Sequence, residues 1–164
     1  MKAISLKQPW ATLVTMGVKK IETRSWQPKD PEIIKQIKEE GLLIHASKNQ
    51  DMAKLFCNVP AKDPFAKYIR NYNDLPYGAI IGKVSFNGAF SMGAVWGMIE
   101  QNMACTIGGI DVFFSVDEIA FGDYSPDRFG WMLSDERQFK DPVPCNGCLS
   151  VWDVPADILK LLPL

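Results

Sequence analysis

Apolar positions near the start of the chain recur every second residue. Residues 2–6 (KAISL) set Ile4 and Leu6 on one face, as a short strand does. From Pro9 the interval lengthens: Trp10, Leu13 and Val14 stand at i, i+3 and i+4. A proline suits the first turn of a helix, where its missing N–H removes no bond, and Gly17 offers a left-handed stop. Over residues 18–26 the period returns to two, with Ile21 and Thr23 on one face and Lys20, Glu22, Arg24 and Trp26 on the other. Charged and aromatic side chains are therefore interleaved through residues 8–26 (QPWATLVTMGVKKIETRSW), which predicts a wall of a cleft.

Further along, Asp30-Pro31 reads as an N-cap and first-turn proline, with Ile33, Ile34 and Ile37 as the buried stripe and Gly41 as the stop. Residues 42–46 (LLIHA) form an apolar run of strand length, and Met52, Leu55 and Phe56 mark a short helix. Asp63-Pro64 repeats the cap signature, and Phe65, Tyr68, Ile69 and Tyr72 give the clearest amphipathic helix. After a turn at residues 76–78, residues 79–90 (AIIGKVSFNGAF) read as a long strand whose glycines permit bending. A loose helix is expected over 95–103, a strand over 111–116 and a loop over 121–128. Strands are expected over 129–133 and 149–154, with a closing helix over 155–162. Strands outnumber long helices and no βαβ alternation appears, so the fold class is α+β: a small mixed β-barrel decorated by several short helices.

Composition changes little in this picture. The 164 residues are 47% hydrophobic and 23% charged, close to globular averages, and nine Phe, five Trp and four Tyr supply a core without metal or disulfides. The formal net charge of −1 gives no basic coat, so any nucleic-acid contact has to come from a local cleft. The opening MKAISLKQPW has no apolar signal core, and no run approaches the roughly 18 apolar residues of a membrane span. Four cysteines in that setting read as reduced thiols, and the expected location is cytoplasmic. Cys145 and Cys148 form C-x-x-C, but Cys57, Cys105 and His45 are isolated, so a zinc site lacks its second pair of ligands and a tight turn is the simpler reading. Phosphate-cradling, nucleophile-elbow and H-E-x-x-H motifs are absent. No cofactor or metal is expected.

The first third of the chain carries a more specific pattern. A QPW helix start followed by Gly17, Lys19, Glu22 and Arg24 in the spacing G-x-K-x-x-E-x-R resembles the opening of ASCH domains. The resemblance continues through LLIHASK (42–48), LPYGAIIGKV (75–84), FGWML (129–133) and PVPCNGCLSVW (142–152). It implies one ASCH domain over 1–164, with less typical helical elaborations near 50–73 and 91–110, and a PUA-like β-barrel. It also implies RNA or a nucleotide-like ligand as partner. Some small relatives are amidohydrolases on acetylated cytidine, and nuclease activity occurs in the family. In the hydrolytic relatives the motif lysine is catalytic, a threonine three residues later assists, and an acid lies further along. Here those positions are Lys19, Glu22 in place of threonine, and Asp117 or Glu118. A basic residue often precedes the glycine before the last strand, and here it is Asn146, which removes one cation.

The residues expected to act follow from both lines. Lys19 beside Glu22 could form an ion pair, which blunts a nucleophile but leaves a pocket for a base edge. Glu22 can accept from an exocyclic amine and Arg24 can grip phosphate or stack. Trp10, Trp26 and Trp131 are the aromatic candidates for stacking, with Trp26 favoured because it shares the face of Glu22 and Arg24. Gln8, His45 and Ser47 complete the expected ligand-binding set, with Lys48 just beyond. Lys19 and Glu22 are the catalytic pair if there is catalysis. The leading reading is binding of RNA or a nucleotide-like ligand; amide hydrolysis and a protein-interaction module are the alternatives.

Overall fold

The computed structural model describes residues 1–56, 63–101 and 104–164. The elements run β1 (Lys2–Leu6), α1 (Trp10–Thr15), β2 (Ile21–Arg24), α2 (Pro31–Glu40), β3 (Leu42–Ala46), α3 (Asp51–Phe56) and α4 (Pro64–Tyr68). They continue with β4 (Ala79–Ser91), α5 (Trp96–Glu100), β5 (Ala104–Ile107), β6 (Ile110–Phe113), α6 (Val116–Ala120), β7 (Phe129–Pro144), β8 (Val151–Asp153) and α7 (Ala156–Leu159).

Six strands form one mixed sheet in the order β2-β7-β4-β3-β1-β8, with β5 and β6 as a separate hairpin. β1 and β3 pair in parallel and the other neighbours are antiparallel. The long β4–β7 ladder shifts register between Ile80 and Gly82, Lys83 and Ser85, and Phe86 and Gly88. Each such irregularity bends its strand and increases its twist, so the sheet curls into a half-barrel. Its interior holds Ile4, Ile44, Val84, Phe86, Trp131 and Leu133, with Ile37 of α2 packed in. A second cluster, including Phe114, Met92 and Tyr124, seats the β5–β6 hairpin, and another joins Leu13, Phe65, Ile69, Tyr72 and Phe121 beside α1. This is the expected α+β architecture of a mixed, helix-decorated barrel.

Several local expectations are corrected. The helix expected to reach Tyr72 ends at Tyr68, because Ile69 turns extended (φ −116°, ψ 104°) and Tyr72 opens a separate single turn. A helix this short gains its stability from packing, so the apolar residues still bury together although the backbone is broken. The strand over 111–116 stops at Phe113, and Ser115 caps α6 by accepting from the Glu118 N–H at 3.0 Å. The strand over 129–133 runs on to Pro144; its remainder (SDERQFKDPVP) is mostly polar, with Phe139 and Val143 buried, and holds together through the β4 ladder. Of the α2 stripe only Ile37 is fully buried, while Ile33 packs partly against the core. The helix expected over 95–103 is α5, shorter by several residues; Met103 and Cys57 lie outside the described residues.

Candidate functional site: a cleft over a buried lysine–glutamate–tyrosine floor

α1 ends where Gly17 adopts φ +71°, and the N–H groups of Val18 and Lys19 both return to the Leu13 carbonyl at 3.0 and 3.1 Å. The tight reversal throws the Lys19 side chain inward. It is 1% exposed, and its Nζ donates to the Ile21 carbonyl at 2.5 Å and to the Tyr124 hydroxyl at 3.3 Å. The same ammonium lies 3.5 Å from Glu118 Oε1 and 5.2 Å from the centroid of the Tyr124 ring. Glu118 projects from α6 and accepts from the Lys20 N–H at 2.8 Å, the Ile21 N–H at 3.3 Å and the Tyr124 hydroxyl at 2.5 Å. Burial, reinforced by the Glu118 charge, pushes the Tyr124 hydroxyl well above its ordinary value of 10.0, so it stays protonated and donates to Glu118.

Above this floor lies a cleft of about 520 Å³. Trp10, Phe65 and Phe121 form one wall, and Glu22, Thr23 and Arg24 of β2 form the other. β2 is an edge strand of the sheet, so residues of both its faces border the cleft. Trp10 is fixed by its Nε1 donating to the Phe121 carbonyl at 2.5 Å and by an edge contact with Phe65. Arg24 Nη2 donates to the Ser5 carbonyl at 2.9 Å, and its Nε lies 3.1 Å from Glu22 Oε1 but off the line of a hydrogen bond. Arg128 donates to the Thr23 carbonyl at 3.3 Å and lies 3.6 Å from Asp123. Hydrogen bonds from the Ser125 hydroxyl and backbone hold the Asp123 carboxyl below its usual range, and Arg128 adds to this. Lys7, Lys19, Arg24 and Arg128 therefore face Glu22, Asp63 and Asp123, a cleft of nearly balanced charge. The loop after α6 reaches the floor at Gly122, where a Cβ would lie 3.0 Å from Lys19 Nζ and 2.8 Å from Tyr124 Cε2.

The structure brings Trp10, Lys19, Glu22 and Arg24 together in this cleft. Lys19 does not pair with Glu22 as expected: Glu22 turns to Arg24, and of the two downstream acids Glu118 meets Lys19. Asp117 points away and takes Lys67 and Tyr68, each at 2.8 Å. Gln8 is buried, donating to the Pro76 carbonyl at 2.9 Å and accepting from the Thr12 N–H at 3.1 Å, so it ties the β1–α1 junction. Trp26 packs edge-on to Trp131 at 5.0 Å and borders a different hollow, and Trp131 is core. His45 and Ser47 line a second hollow of about 510 Å³ that meets the main cleft at Ser5. There Asn146, the departure from the usual basic residue, accepts the Lys48 ammonium at 2.8 Å, so a cation arrives from another element. Among the described residues no group of three or more His, Cys, Asp and Glu could hold a metal; Cys145 is half-buried and Cys148 exposed.

Tyr124, Arg128, Phe121 and Gly122 were not anticipated. They come from the segment over 121–128, read as a plain loop, and meet the motif across about a hundred residues of sequence. Ser115 ahead of an acidic first turn (Asp117, Glu118) was the one local signal that a helix, and with it Glu118, begins there.

No curated protein matches the chain by sequence. Solved structures of ASCH from Zymomonas mobilis share its fold: a tyrosine-to-phenylalanine variant superposes with a TM-score of 0.53 at 13% identity, over 98% of this chain and 94% of that one. The unsubstituted Zymomonas mobilis ASCH gives 0.52 at 13% identity, over 97% and 90%. The ASCH domain model matches residues 4–108. That stretch contains the whole G-x-K-x-x-E-x-R motif, Ser5 where the two hollows meet, and all of β3 and β4, and on it the chain belongs to the ASCH domain family.

Proposed function

We propose that the cleft binds a nucleotide unit of single-stranded RNA, or a nucleotide-like ligand. The observation that carries this reading is the combination of a fixed cation with an aromatic side chain in one cleft: Lys19, held from behind by Glu118 and Tyr124, and the half-buried Trp10. A base slotted against Trp10 gains about 1–3 kcal/mol from stacking. In this reading Glu22 accepts from an exocyclic amine, and Arg24 and Arg128, each about a quarter exposed, meet phosphate. Family membership supports the same ligand class, since ASCH domains are PUA-like and often bind RNA. The whole chain acts as one unit in this reading, because β8 near the C-terminus pairs with β1, which carries Ser5.

Because each basic side chain except Lys7 already faces an acid, binding depends on short-range contacts more than on bulk attraction. A hydrolytic use of Lys19 has less support. Its amine is almost wholly enclosed and engaged by three protein acceptors, so a substrate carbonyl would have to displace one of them. Glu22, where hydrolytic relatives carry threonine, is turned to Arg24.

The test is fluorescence anisotropy with short single-stranded RNA over a salt series, with wild type and Arg24→Ala. Wild type is expected to bind, with Arg24→Ala weaker by about tenfold and its log–log salt slope lower by about 0.7, one phosphate contact on a single strand. Wild-type affinity no greater than that of an unrelated acidic protein overturns the reading.

A further inference from the structure

The second hollow adjoins the first at Ser5. Ser5 forms a shared wall: its carbonyl accepts Arg24 on the side of the main cleft, and its hydroxyl lies 3.1 Å from His45 Nδ1 and 3.0 Å from the Cys148 carbonyl on the other. The Trp152 indole also reaches this hydroxyl at 3.3 Å, so the wall is tied to three separate segments. At about 510 Å³ the second hollow is as large as the first, and both fall within the range of small-molecule sites, about 300–1,000 Å³.

Its chemistry differs from that of the main cleft. Its lining contains no carboxylate, and Lys48 is its cation. The lysine stem lies against Gly78, where a Cβ would come within 2.8 Å of Lys48 Cγ, and the ammonium is anchored to Asn146 Oδ1 at 2.8 Å. An ammonium held by a neutral amide keeps its full charge for an anion and retains further N–H donors. The Ser47 hydroxyl beside it has no hydrogen-bond partner among the described residues. At the rim Leu149 is 94% exposed, an apolar surface offered to solvent next to a cationic hollow. A polar floor, an anchored cation without a competing acid, and an open apolar flank together fit a second unit of a chain whose repeat is anionic group plus flat apolar ring.

We infer that the hollow at Lys48 and Leu149 is a flanking-nucleotide subsite, so that the ligand is a single-stranded oligonucleotide running past Ser5 and not a free mononucleotide or nucleoside. This rests on the nucleotide reading of the main cleft. Lys48 meets the phosphate that joins the two units, the Ser47 hydroxyl supplies a second donor, and Leu149 covers one face of the flanking base. The main cleft reads one base, and the second hollow sets the minimum length.

The experiment compares uridine monophosphate with a uridine trinucleotide by calorimetry or anisotropy, using wild type, Lys48→Gln, Leu149→Ser and Arg24→Ala. Both Lys48 and Leu149 are exposed, so these substitutions leave the fold intact, which a melting curve checks. Wild type is expected to bind the trinucleotide about tenfold more tightly than the monophosphate. Lys48→Gln and Leu149→Ser each remove most of that preference, and Leu149→Ser leaves monophosphate binding unchanged. Lys48→Gln also lowers the salt slope for the trinucleotide by about 0.7, and Arg24→Ala weakens both ligands. Equal affinity for the two lengths, or a Lys48→Gln effect identical on both, overturns the subsite and leaves the main cleft standing. Failure of wild type to bind either ligand overturns both readings.

Discussion

Glu118 is the group whose removal tests the floor most directly. It is 4% exposed, faces the Lys19 ammonium at 3.5 Å and accepts from the Lys20 N–H, the Ile21 N–H and the Tyr124 hydroxyl. Glu118→Ala therefore leaves a cation enclosed at 1% exposure without its acid and strands the Lys20 and Ile21 N–H groups, while the Tyr124 hydroxyl keeps the Ile21 carbonyl at 3.3 Å. Breaking a buried pair by deleting one partner costs about 3–5 kcal/mol. Each stranded donor could add about 1–3 kcal/mol, but water entering at the cleft floor can satisfy some of them, so the pair figure is the better guide. For a chain of this length that is a fall in melting temperature of about 6–20 °C, at about 2–4 °C per kcal/mol. Lys19→Met is expected to be milder, about 1–3 kcal/mol, because Glu118 then keeps all three of its donors. The double variant Lys19→Met/Glu118→Ala should cost less than the sum of its parts by about 1–3 kcal/mol. Urea unfolding followed by circular dichroism, with the slope checked for constancy, reads each value. Asp117→Ala, next in sequence but paired with Lys67 at the surface, serves as control and should leave the midpoint close to wild type. A Glu118→Ala loss below about 1 kcal/mol, or strict additivity in the double variant, would refute the account of Lys19 as an ammonium held by its acid.

Two other outcomes follow from the same geometry. Burial, with a smaller contribution from the Lys48 charge, pulls the His45 imidazole below its ordinary value of 6.5, against the opposing hydrogen bond to the Cys145 carbonyl. The unfolded chain thus binds the proton first, so this stabilisation is complete above about pH 6.5 and is lost as pH falls through the lower folded value. Melting temperature should drop between pH 7 and 5, and His45→Gln, whose amide nitrogen overlays the imidazole Nε2 and keeps a donor for that carbonyl, should flatten that part of the profile; an unchanged profile contradicts it. Gly122→Ala places a methyl 2.8 Å from Tyr124 Cε2 and 3.1 Å from Thr23 Oγ1, so a loss of about 1–3 kcal/mol and weaker RNA binding are expected. Gly97→Ala, with nothing within 4 Å, is the control and should be neutral or slightly stabilising.

Local chemistry was a good guide wherever an element's reason is contained within it. Asp30-Pro31 and Asp63-Pro64 start their helices through side-chain caps that reach only two or three residues ahead. Gly17 stops α1, and the alternation over residues 2–6 and the apolar run over 42–46 become β1 and β3. The motif lysine, glutamate and arginine also reach one cleft, because a glycine turn followed by a short strand leaves them little choice of direction. The misreadings begin where packing overrules period. The mostly polar remainder of β7 is a strand because β4 supplies its hydrogen bonds, and Tyr72 buries without belonging to α4.

The partner of Lys19 lay beyond local pattern. Lys19 and Glu22 are three residues apart, yet Glu22 takes Arg24 two residues along its own strand, and Lys19 takes Glu118 because α6 and the loop behind it are folded against β2 from about a hundred residues away. Trp26, sharing a strand face with Arg24 on paper, leaves β2 after its last paired residue and packs on Trp131 instead. Periodicity and capping specify which way a side chain points from its own backbone; which charge it meets there depends on long-range contacts that no local window contains.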